Sequence, residues 1–181
     1  MHSMTVSNLQ SAFSGESQAH MRYLAYAAKA ERDGFPNVGR LFKAVSWAEQ
    51  IHATSHFTVL RGEVGPAVTI AGGGFGLGAT ADNLDVAIEG EKFEIEEMYP
   101  VYKAAADFQG ERGALRSMDW AGEAEKTHYA LYQAAKEAVE AGNDLALEQI
   151  LVCERCGHTV LDEAPDQCPI CKAKKEAYQA F

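Results

Sequence analysis

The first 152 residues of the chain contain no cysteine, and no apolar run approaches the length of a membrane-spanning helix. Such a helix needs about 20 predominantly apolar residues in succession. The N-terminal segment, Met1 to Phe13, also lacks the apolar centre of a secretory signal peptide. From these absences we expect a cytoplasmic protein.

Basic residues are scarce as well, because 16 Lys and Arg stand against 26 Asp and Glu, which gives a formal charge of −10. A chain without a basic patch or tail is poorly suited to nucleic acid or to anionic membrane surfaces. With 47% hydrophobic residues, the composition is ordinary for a globular protein. We therefore expect neither a nucleic-acid nor a membrane partner.

The four cysteines all lie near the C-terminus, in the pairs Cys153-x-x-Cys156 and Cys168-x-x-Cys171. Two such pairs can close a tetrahedral site of four thiolates around one metal ion. Metal binding by cysteine fits a reducing compartment, and so short a segment needs the ion in order to fold. The spacing alone leaves both iron and zinc open.

The rest of the chain is organised around two Glu-x-x-His pairs, Glu49 with His52 and Glu125 with His128. Residues three apart lie on one face of a helix, so a carboxylate and an imidazole can bind one ion together. A Gly-Glu sequence precedes each pair, at Glu16 and again at Glu91. The chain therefore consists of two similar halves, each with one carboxylate helix and one Glu-x-x-His helix.

Apolar residues recur at spacings of three and four, which predicts four helices. Their approximate ranges are 6–33, 37–61, 82–109 and 114–141. The glycine-rich stretch 62–80 is long enough to cross the full length of a helical bundle. Pro100 lies inside the third helix and predicts a kink or bulge just past the carboxylates.

The turns between these helices bring the carboxylates and imidazoles to one level of the bundle. Two helices then supply a glutamate each, and the other two supply Glu-x-x-His. This is the ligand set of ferritin-like di-iron carboxylate proteins. A mixed oxygen and nitrogen site suits iron or manganese.

Several stretches together resemble the rubrerythrin family over nearly the whole chain. They are Gly15-Glu16-Ser17-Gln18-Ala19, Ala48-Glu49-Gln50-Ile51-His52, Gly90-Glu91-Lys92-Phe93-Glu94, Glu97-Met98-Tyr99-Pro100, Glu125-Lys126-Thr127-His128 and the two cysteine pairs. The resemblance implies an all-α, ferritin-like four-helix bundle with a long crossover over residues 1–143. It also implies a small, β-poor, rubredoxin-like domain over 144–181. The metal ligands that it implies are Glu16, Glu49, His52, Glu91, Glu94, Glu125 and His128 for two irons, and Cys153, Cys156, Cys168 and Cys171 for a third iron.

The resemblance also implies a function, the reduction of hydrogen peroxide to water in protection against oxidative stress. Electrons would come from an external reductase or rubredoxin through the four-cysteine iron. Glu94 would exchange with His52 as the redox state changes, and Tyr23 and Tyr99 would donate hydrogen bonds to carboxylates. From their helical spacing alone, both tyrosines could equally be ordinary core residues with satisfied hydroxyls. The second cysteine pair departs from the family pattern, because Lys172 follows it in place of glycine. Zinc therefore stays possible at that site.

Two other functions are compatible with the same residues. One is an oxygen-consuming ferroxidase, and the other is an iron-binding or storage protein whose tail is a structural zinc ribbon. The sequence also predicts a head-to-tail homodimer. The linker after Gly142 is short, so we expect the tail to lie far from the di-metal site of its own chain and against the partner's bundle.

A further group of residues near the ligand positions receives ordinary structural interpretations. Tyr132 is predicted to be core, His56 to be core or a neighbour of the ligands, and His20 to be a candidate neighbour of the ligands. His158 is expected to be solvated. The surplus carboxylates Glu96, Glu97 and Glu123 are predicted to be exposed.

Overall fold

The structure, a computed structural model, describes all 181 residues. Its helices are α1 (Ser3–Asp33), α2 (Pro36–Val59), α3 (Thr80–Phe93), a π-helical segment (Glu94–Met98), α4 (Tyr99–Phe108) and α5 (Arg112–Glu140). The stretch between α2 and α3 has no regular structure and forms the predicted crossover. None of the helices is both long and apolar enough to span a membrane. The predicted four-helix bundle is confirmed.

The predicted third helix is interrupted where Pro100 was expected to disturb it. The backbone N–H of Tyr99 bonds to the carbonyl of Glu94, five residues earlier, which is the spacing of a π-helix. Pro100 has no N–H, so it cannot complete the regular α-helical ladder at this point. The resulting bulge begins at Glu94 itself.

Two buried apolar clusters lie above and below the level of the predicted ligands. The larger includes Tyr23, Phe42 and Tyr132, and the smaller includes Leu9 and Met118. Along α1, residues of the smaller cluster come first, then Glu16, and then residues of the larger cluster. Along α5, Glu125 and His128 lie between the two clusters in the same order. The polar layer is therefore closed off on both sides by packed side chains.

The C-terminal domain contains more strand than the β-poor domain that the sequence predicts. Three short antiparallel strands, β1 (Ile150–Cys153), β2 (Thr159–Leu161) and β3 (Tyr178–Ala180), form one sheet in the order β2-β1-β3. Ile150 and Val152 on β1 are buried and join the large cluster of the bundle. The sheet is thus part of the main core.

The prediction that this tail lies far from the di-metal site of its own chain is wrong. The Asp144 carboxylate accepts hydrogen bonds from the backbone N–H groups of Asn37 and Val38, at 2.8 and 3.1 Å, which holds the linker at the start of α2. The tail then runs along α2, where the Phe181 ring packs on Trp47. Because the tail itself covers the distance, its short linker does not keep the two parts apart.

Candidate metal centres

Six of the predicted di-metal ligands converge in two overlapping groups. One group contains Glu16, Glu49, His52 and Glu125, and the other contains Glu49, Glu91, Glu125 and His128. Within each group the ligand atoms lie within 4.8 Å of one another. Glu49 and Glu125 belong to both groups, so each could supply a ligand to either of two metal ions.

All six side chains are almost fully buried. Nevertheless, several of their polar atoms make no well-aligned hydrogen bond, although some lie close to an imidazole nitrogen: Glu16 Oε2, Glu49 Oε1, Glu91 Oε2, both Glu125 carboxylate oxygens and His128 Nδ1. Buried polar atoms in proteins are nearly always paired, since an unpaired one costs free energy. Bound cations would satisfy these atoms, so the residues fit a di-metal centre.

The acid–base properties of the group indicate the same need for positive charge. Burial, together with the negative charge of Glu49, raises the pKa of Glu16 well above its usual value. Burial also raises the pKa of Glu91, to about 8. Burial alone would lower the pKa of His52, but the charge of Glu125 offsets it and raises this pKa to about 10. Without metal, then, the cluster retains protons that two cations would displace.

Both histidines are oriented for binding through Nδ1. His52 Nδ1 lies 2.8 Å from Glu125 Oε1, and His128 Nδ1 lies 2.7 Å from Glu125 Oε2. On the other side of each ring, Nε2 lies 3.0 Å from the carbonyl oxygen of Cys156 and 3.1 Å from that of Gly157. An N–H at Nε2 that donates to a carbonyl leaves Nδ1 free to bind a metal.

Glu94, the seventh predicted ligand, is not a member of either group. It is half-buried on the π-helical segment and lines a cavity of about 680 Å³ between α1, the crossover and α3. Burial and the charge of Glu16 raise its pKa. In this structure His52 is in the ligand cluster and Glu94 is outside it.

Both predicted tyrosines contact ligand carboxylates. The Tyr23 hydroxyl donates to Glu91 Oε1 at 2.7 Å, and the Tyr99 hydroxyl donates to Glu16 Oε1. Burial and the neighbouring carboxylates raise the pKa of both phenols, so they remain protonated donors. Of the two interpretations that the sequence allowed, neighbours of the ligands or ordinary core, the geometry supports the first.

The remaining residues near the ligands have different surroundings. His56 is buried and bonds to Tyr99 and Ser117, outside both metal groups. His20 hydrogen-bonds to Ser46 and lies outside both metal groups. Tyr132 is buried in the large cluster, as predicted. The side chains of Glu96 and Glu97 are exposed as predicted, whereas Glu123 is half-buried beside Lys126 and His158 is buried against Tyr178.

The four cysteines form the second predicted centre. Cys153 Sγ lies 3.6 Å from Cys171 Sγ, Cys156 Sγ lies 3.5 Å from Cys168 Sγ, and none of them is in a disulfide. Metal–sulfur bonds of about 2.3 Å in a tetrahedron separate the sulfurs by a similar distance. The nearby Cys156 thiol lowers the pKa of Cys153 to about 5, so a thiolate is available. The four residues therefore fit one metal ion.

The lysine after the second pair has the conformation that its glycine counterpart in the family favours. Lys172 has φ +62°, in the left-handed region, while Gly157 after the first pair has φ +78°. For a residue with a side chain this region costs roughly 1–2 kcal/mol. The Lys172 ammonium donates to the carbonyl of Pro169 at 2.7 Å, which holds the side chain in place.

The two centres are in direct contact within one chain. Besides the carbonyl contacts of the two histidines, Thr159 Oγ1 lies 3.1 Å from His128 Nε2. A Cβ atom added to Gly157 would lie 2.3 Å from His52 Nε2, so only glycine allows this approach. The roles of Gly157, Thr159 and Ser117 are absent from the sequence prediction, because nothing in their spacing indicates contact with residues so distant in the chain.

Comparison with known proteins agrees with this geometry. Residues 7–136 match the sequence model of the rubrerythrin family, and residues 152–179 match that of the rubrerythrin rubredoxin-like domain. The chain belongs to the rubrerythrin family. Rubrerythrin-2 of Clostridium acetobutylicum is 46% identical over 99% of this chain and 98% of its own. Nigerythrin of Nitratidesulfovibrio vulgaris is 30% identical over 98% of this chain and 86% of its own.

A solved structure of nigerythrin in its fully reduced, all-ferrous state superposes with a TM-score of 0.87, at 29% identity, over 98% of this chain and 86% of that chain. Rubrerythrins bind iron, and this member has both the carboxylate–histidine di-iron site and the four-cysteine site. The fold and the cofactors implied by the resemblance are therefore confirmed.

Proposed function

We propose that this rubrerythrin is a peroxidase that reduces hydrogen peroxide to water with electrons delivered through its four-cysteine iron. The observation that carries the proposal is the contact between the centres, in which His52 faces the di-iron site with Nδ1 and bonds to the carbonyl of Cys156 with Nε2. A storage protein with a structural zinc tail has no need for such a contact. A peroxidase needs it, because each turnover consumes two electrons.

The protein supplies positions and hydrogen bonds for this reaction. The bound irons act as Lewis acids and as the source of electrons. Glu49 and Glu125 would contribute ligands to both metal positions, while Tyr23 and Tyr99 fix the carboxylates of Glu91 and Glu16. We assign Glu94 to a redox-linked exchange with His52, since the structure has one of the two in the cluster and the other beside it.

The electron donor proposed here is an external one-electron reductase or rubredoxin that acts on the tail. The homodimer remains a prediction from the family resemblance. The distance argument for a head-to-tail dimer no longer applies, because the tail of each chain already contacts the di-iron site of the same chain. Electron transfer can therefore proceed within a single subunit.

Metal content and colour test the cofactor assignment. We expect three irons per chain after reconstitution and visible thiolate-to-iron absorption bands. The protein would be colourless in this region if the tail held zinc. A stable content of one metal per chain would contradict the di-iron assignment.

The reaction itself is tested with fully reduced protein that is prepared without oxygen. It is mixed either with hydrogen peroxide or with oxygen, and all other conditions are kept identical. We expect peroxide to oxidise the di-iron site faster than oxygen does. In Cys168→Ser we expect steady-state turnover to be lost, whereas a reduced di-iron site can still be oxidised once by peroxide. Faster reaction with oxygen, without catalytic peroxide consumption, would identify a ferroxidase instead.

A further inference from the structure

The cavity beside Glu94 is much larger than hydrogen peroxide requires. Its volume is about 680 Å³, and it lies between α1, α3 and the glycine-rich crossover. A water molecule takes up about 30 Å³ in the liquid, and hydrogen peroxide has only one oxygen more. Binding sites for organic molecules, by contrast, have volumes of about 300–1,000 Å³. The cavity therefore has the size of a site for an organic ligand.

The inner end of the cavity reaches the surroundings of the di-iron site. Its lining includes Glu94 and also Tyr23, which donates a hydrogen bond to the ligand Glu91 at 2.7 Å. Gly15 and Gly90 line it as well, and each directly precedes a ligand glutamate in the sequence. A molecule in the cavity can therefore present a polar end to the metal site.

The crossover is bonded to α1 along one side of the cavity. Ser11 Oγ donates to the carbonyl of Ile70 at 3.1 Å, and Gln18 Nε2 donates to the carbonyl of Ala71 at 3.3 Å. A Cβ added to Gly15 of α1 would lie 3.9 Å from the Cβ of Ala71, so this side chain faces the helix. These contacts make this part of the crossover a fixed wall of the cavity.

Glycines let the next part of the crossover lie close to α1 and α3. A Cβ on Gly74 would lie 2.2 Å from Cγ1 of Val86, a stiff branched side chain, so a larger residue cannot make this approach. A Cβ on Gly73 would lie 2.5 Å from a guanidinium nitrogen of Arg22. Both glycines line the cavity. The glycine-rich crossover, to which the metal centres give no role, thus serves as a wall of this cavity.

The chemistry of the lining favours a neutral, apolar ligand. Most of the lining consists of apolar side chains and glycine. The opening carries charges of both signs, because Arg22 is half-buried there and Asp85 and Glu89 are exposed. Such a mixture attracts neither anions nor cations over the other. A neutral molecule with an apolar body is therefore the ligand that the cavity fits.

We propose that the cavity binds neutral organic hydroperoxides, ROOH with an apolar group R, and that the protein reduces them as well as hydrogen peroxide. The inference rests on the proposed peroxidase function. The group R occupies the cavity, and the hydroperoxide group lies at the end formed by Tyr23 and Glu94. Reduction breaks the oxygen–oxygen bond and, with two electrons and two protons from water, gives the alcohol ROH and one water. The electrons come from the external one-electron reductant through the four-cysteine iron.

Binding can be tested without turnover. Cumene hydroperoxide is the probe substrate, and its reduction product, 2-phenyl-2-propanol, is an unreactive probe of similar shape. Calorimetric titration of oxidised, iron-loaded, full-length protein should show one site for this alcohol. Ala71→Phe and Val86→Phe add a ring to two walls of the cavity, so each should weaken binding by roughly tenfold or more. Ala67→Phe is the matched control, because this exposed residue of the same crossover does not line the cavity.

The activity is tested by anaerobic oxidation of the reduced protein with cumene hydroperoxide or with hydrogen peroxide. We expect both to oxidise the di-iron site of the parent protein. In Ala71→Phe and Val86→Phe the ratio of the cumene hydroperoxide rate to the hydrogen peroxide rate should fall by roughly tenfold or more, because only the larger molecule needs the filled space. Ala67→Phe should keep the parent ratio. Iron content per chain is measured for each variant, and either cavity variant serves if the other fails to fold.

Absence of alcohol binding, or equal binding in the parent and the cavity variants, would overturn the assignment of the cavity. An unchanged rate ratio in the cavity variants would contradict it as well. Reduction of hydrogen peroxide without reduction of cumene hydroperoxide would overturn the further activity and leave the proposed function intact. A parent protein that binds the alcohol but reduces neither peroxide would overturn the proposed function and the hydroperoxide activity with it. The two failures can thus be told apart.

Discussion

At the scale of single residues, the di-iron site depends on carboxylates that would be unstable as buried charges without metal. Burial and the charges of neighbouring carboxylates raise the pKa values of Glu16 and Glu91. For Glu49, the imidazoles of His128 and His52 more than offset the burial and lower the pKa. One environment therefore produces opposite shifts, because Glu49 lies near both imidazoles whereas Glu91 lies near His128 alone. Two cations remove the conflict.

Glu94 is the residue whose role can be separated from metal binding. Since the two groups of ligands are complete without it, Glu94→Gln should still bind two irons. Oxidation of the reduced site by peroxide should nevertheless slow by about tenfold or more, because a neutral amide cannot replace the carboxylate in an exchange with His52. Stopped-flow absorbance under anaerobic conditions gives the rate. Glu97→Gln, an exposed change on the same π-helical segment, is the control; an equal rate in both variants would remove Glu94 from the mechanism.

Gly157 controls the contact between the two centres. Gly157→Ala would place a methyl group 2.3 Å from His52 Nε2, so the tail must shift away and electron transfer into the di-iron site should slow. Gly142→Ala is a matched control, because Gly142 has a similar φ of +76° with nothing within 4 Å. Both variants carry the same backbone strain, and only the first has the clash. Reduction of the di-iron site through the tail, followed optically, should slow in Gly157→Ala alone; equal slowing in both would attribute the effect to strain.

At the scale of secondary-structure elements, a long-range contact supplies the N-terminal cap that the local sequence of α2 lacks. Helix α2 begins at Pro36, and no side chain at its own N-cap bonds to the first turn. The free backbone N–H groups of Asn37 and Val38 are instead bound by Asp144, more than 100 residues later in the sequence. This contact caps α2 and fixes the direction of the tail at the same time.

Asp144→Ala should destabilise the protein by about 1 kcal/mol, the usual cost of losing a helix cap. For a chain of this size the thermal midpoint should fall by about 2–4 °C. Asp144→Asn should recover part of the loss, since an amide oxygen still accepts a hydrogen bond. Thermal unfolding of the iron-loaded protein, followed by circular dichroism, measures both; identical midpoints for the parent and Asp144→Ala would contradict the capping role.

At the scale of the whole molecule, the structure places both metal centres in contact within one chain. A chain with Cys168→Ser lacks a working tail, and a chain with Glu49→Ala and Glu125→Ala lacks a working di-iron site. Mixed dimers of the two should therefore stay inactive with an external reductant, because neither chain has both parts. Recovery of activity in verified mixed dimers would show that the tail serves its partner, as the sequence argument first predicted.

The sequence by itself determined the bundle and indicated six candidate ligands that the structure brings together. Glu49, His52, Glu125 and His128 could be assigned because helical spacing is local: residues three apart share a face wherever the helix lies. The cysteine pairs are equally local, and Pro100 marked the site of the π-helical bulge because a missing N–H acts within one turn.

Only the tertiary structure decided what lies between these local patterns. The tail docks on its own bundle because Asp144, Phe181 and Gly157 meet partners in α2 that no sequence period connects to them. The packing of separate helices also decides that Glu94 lies outside the cluster and that His56 hydrogen-bonds to Ser117. Such contacts join residues tens of positions apart, and their geometry is set by the packing of the whole chain.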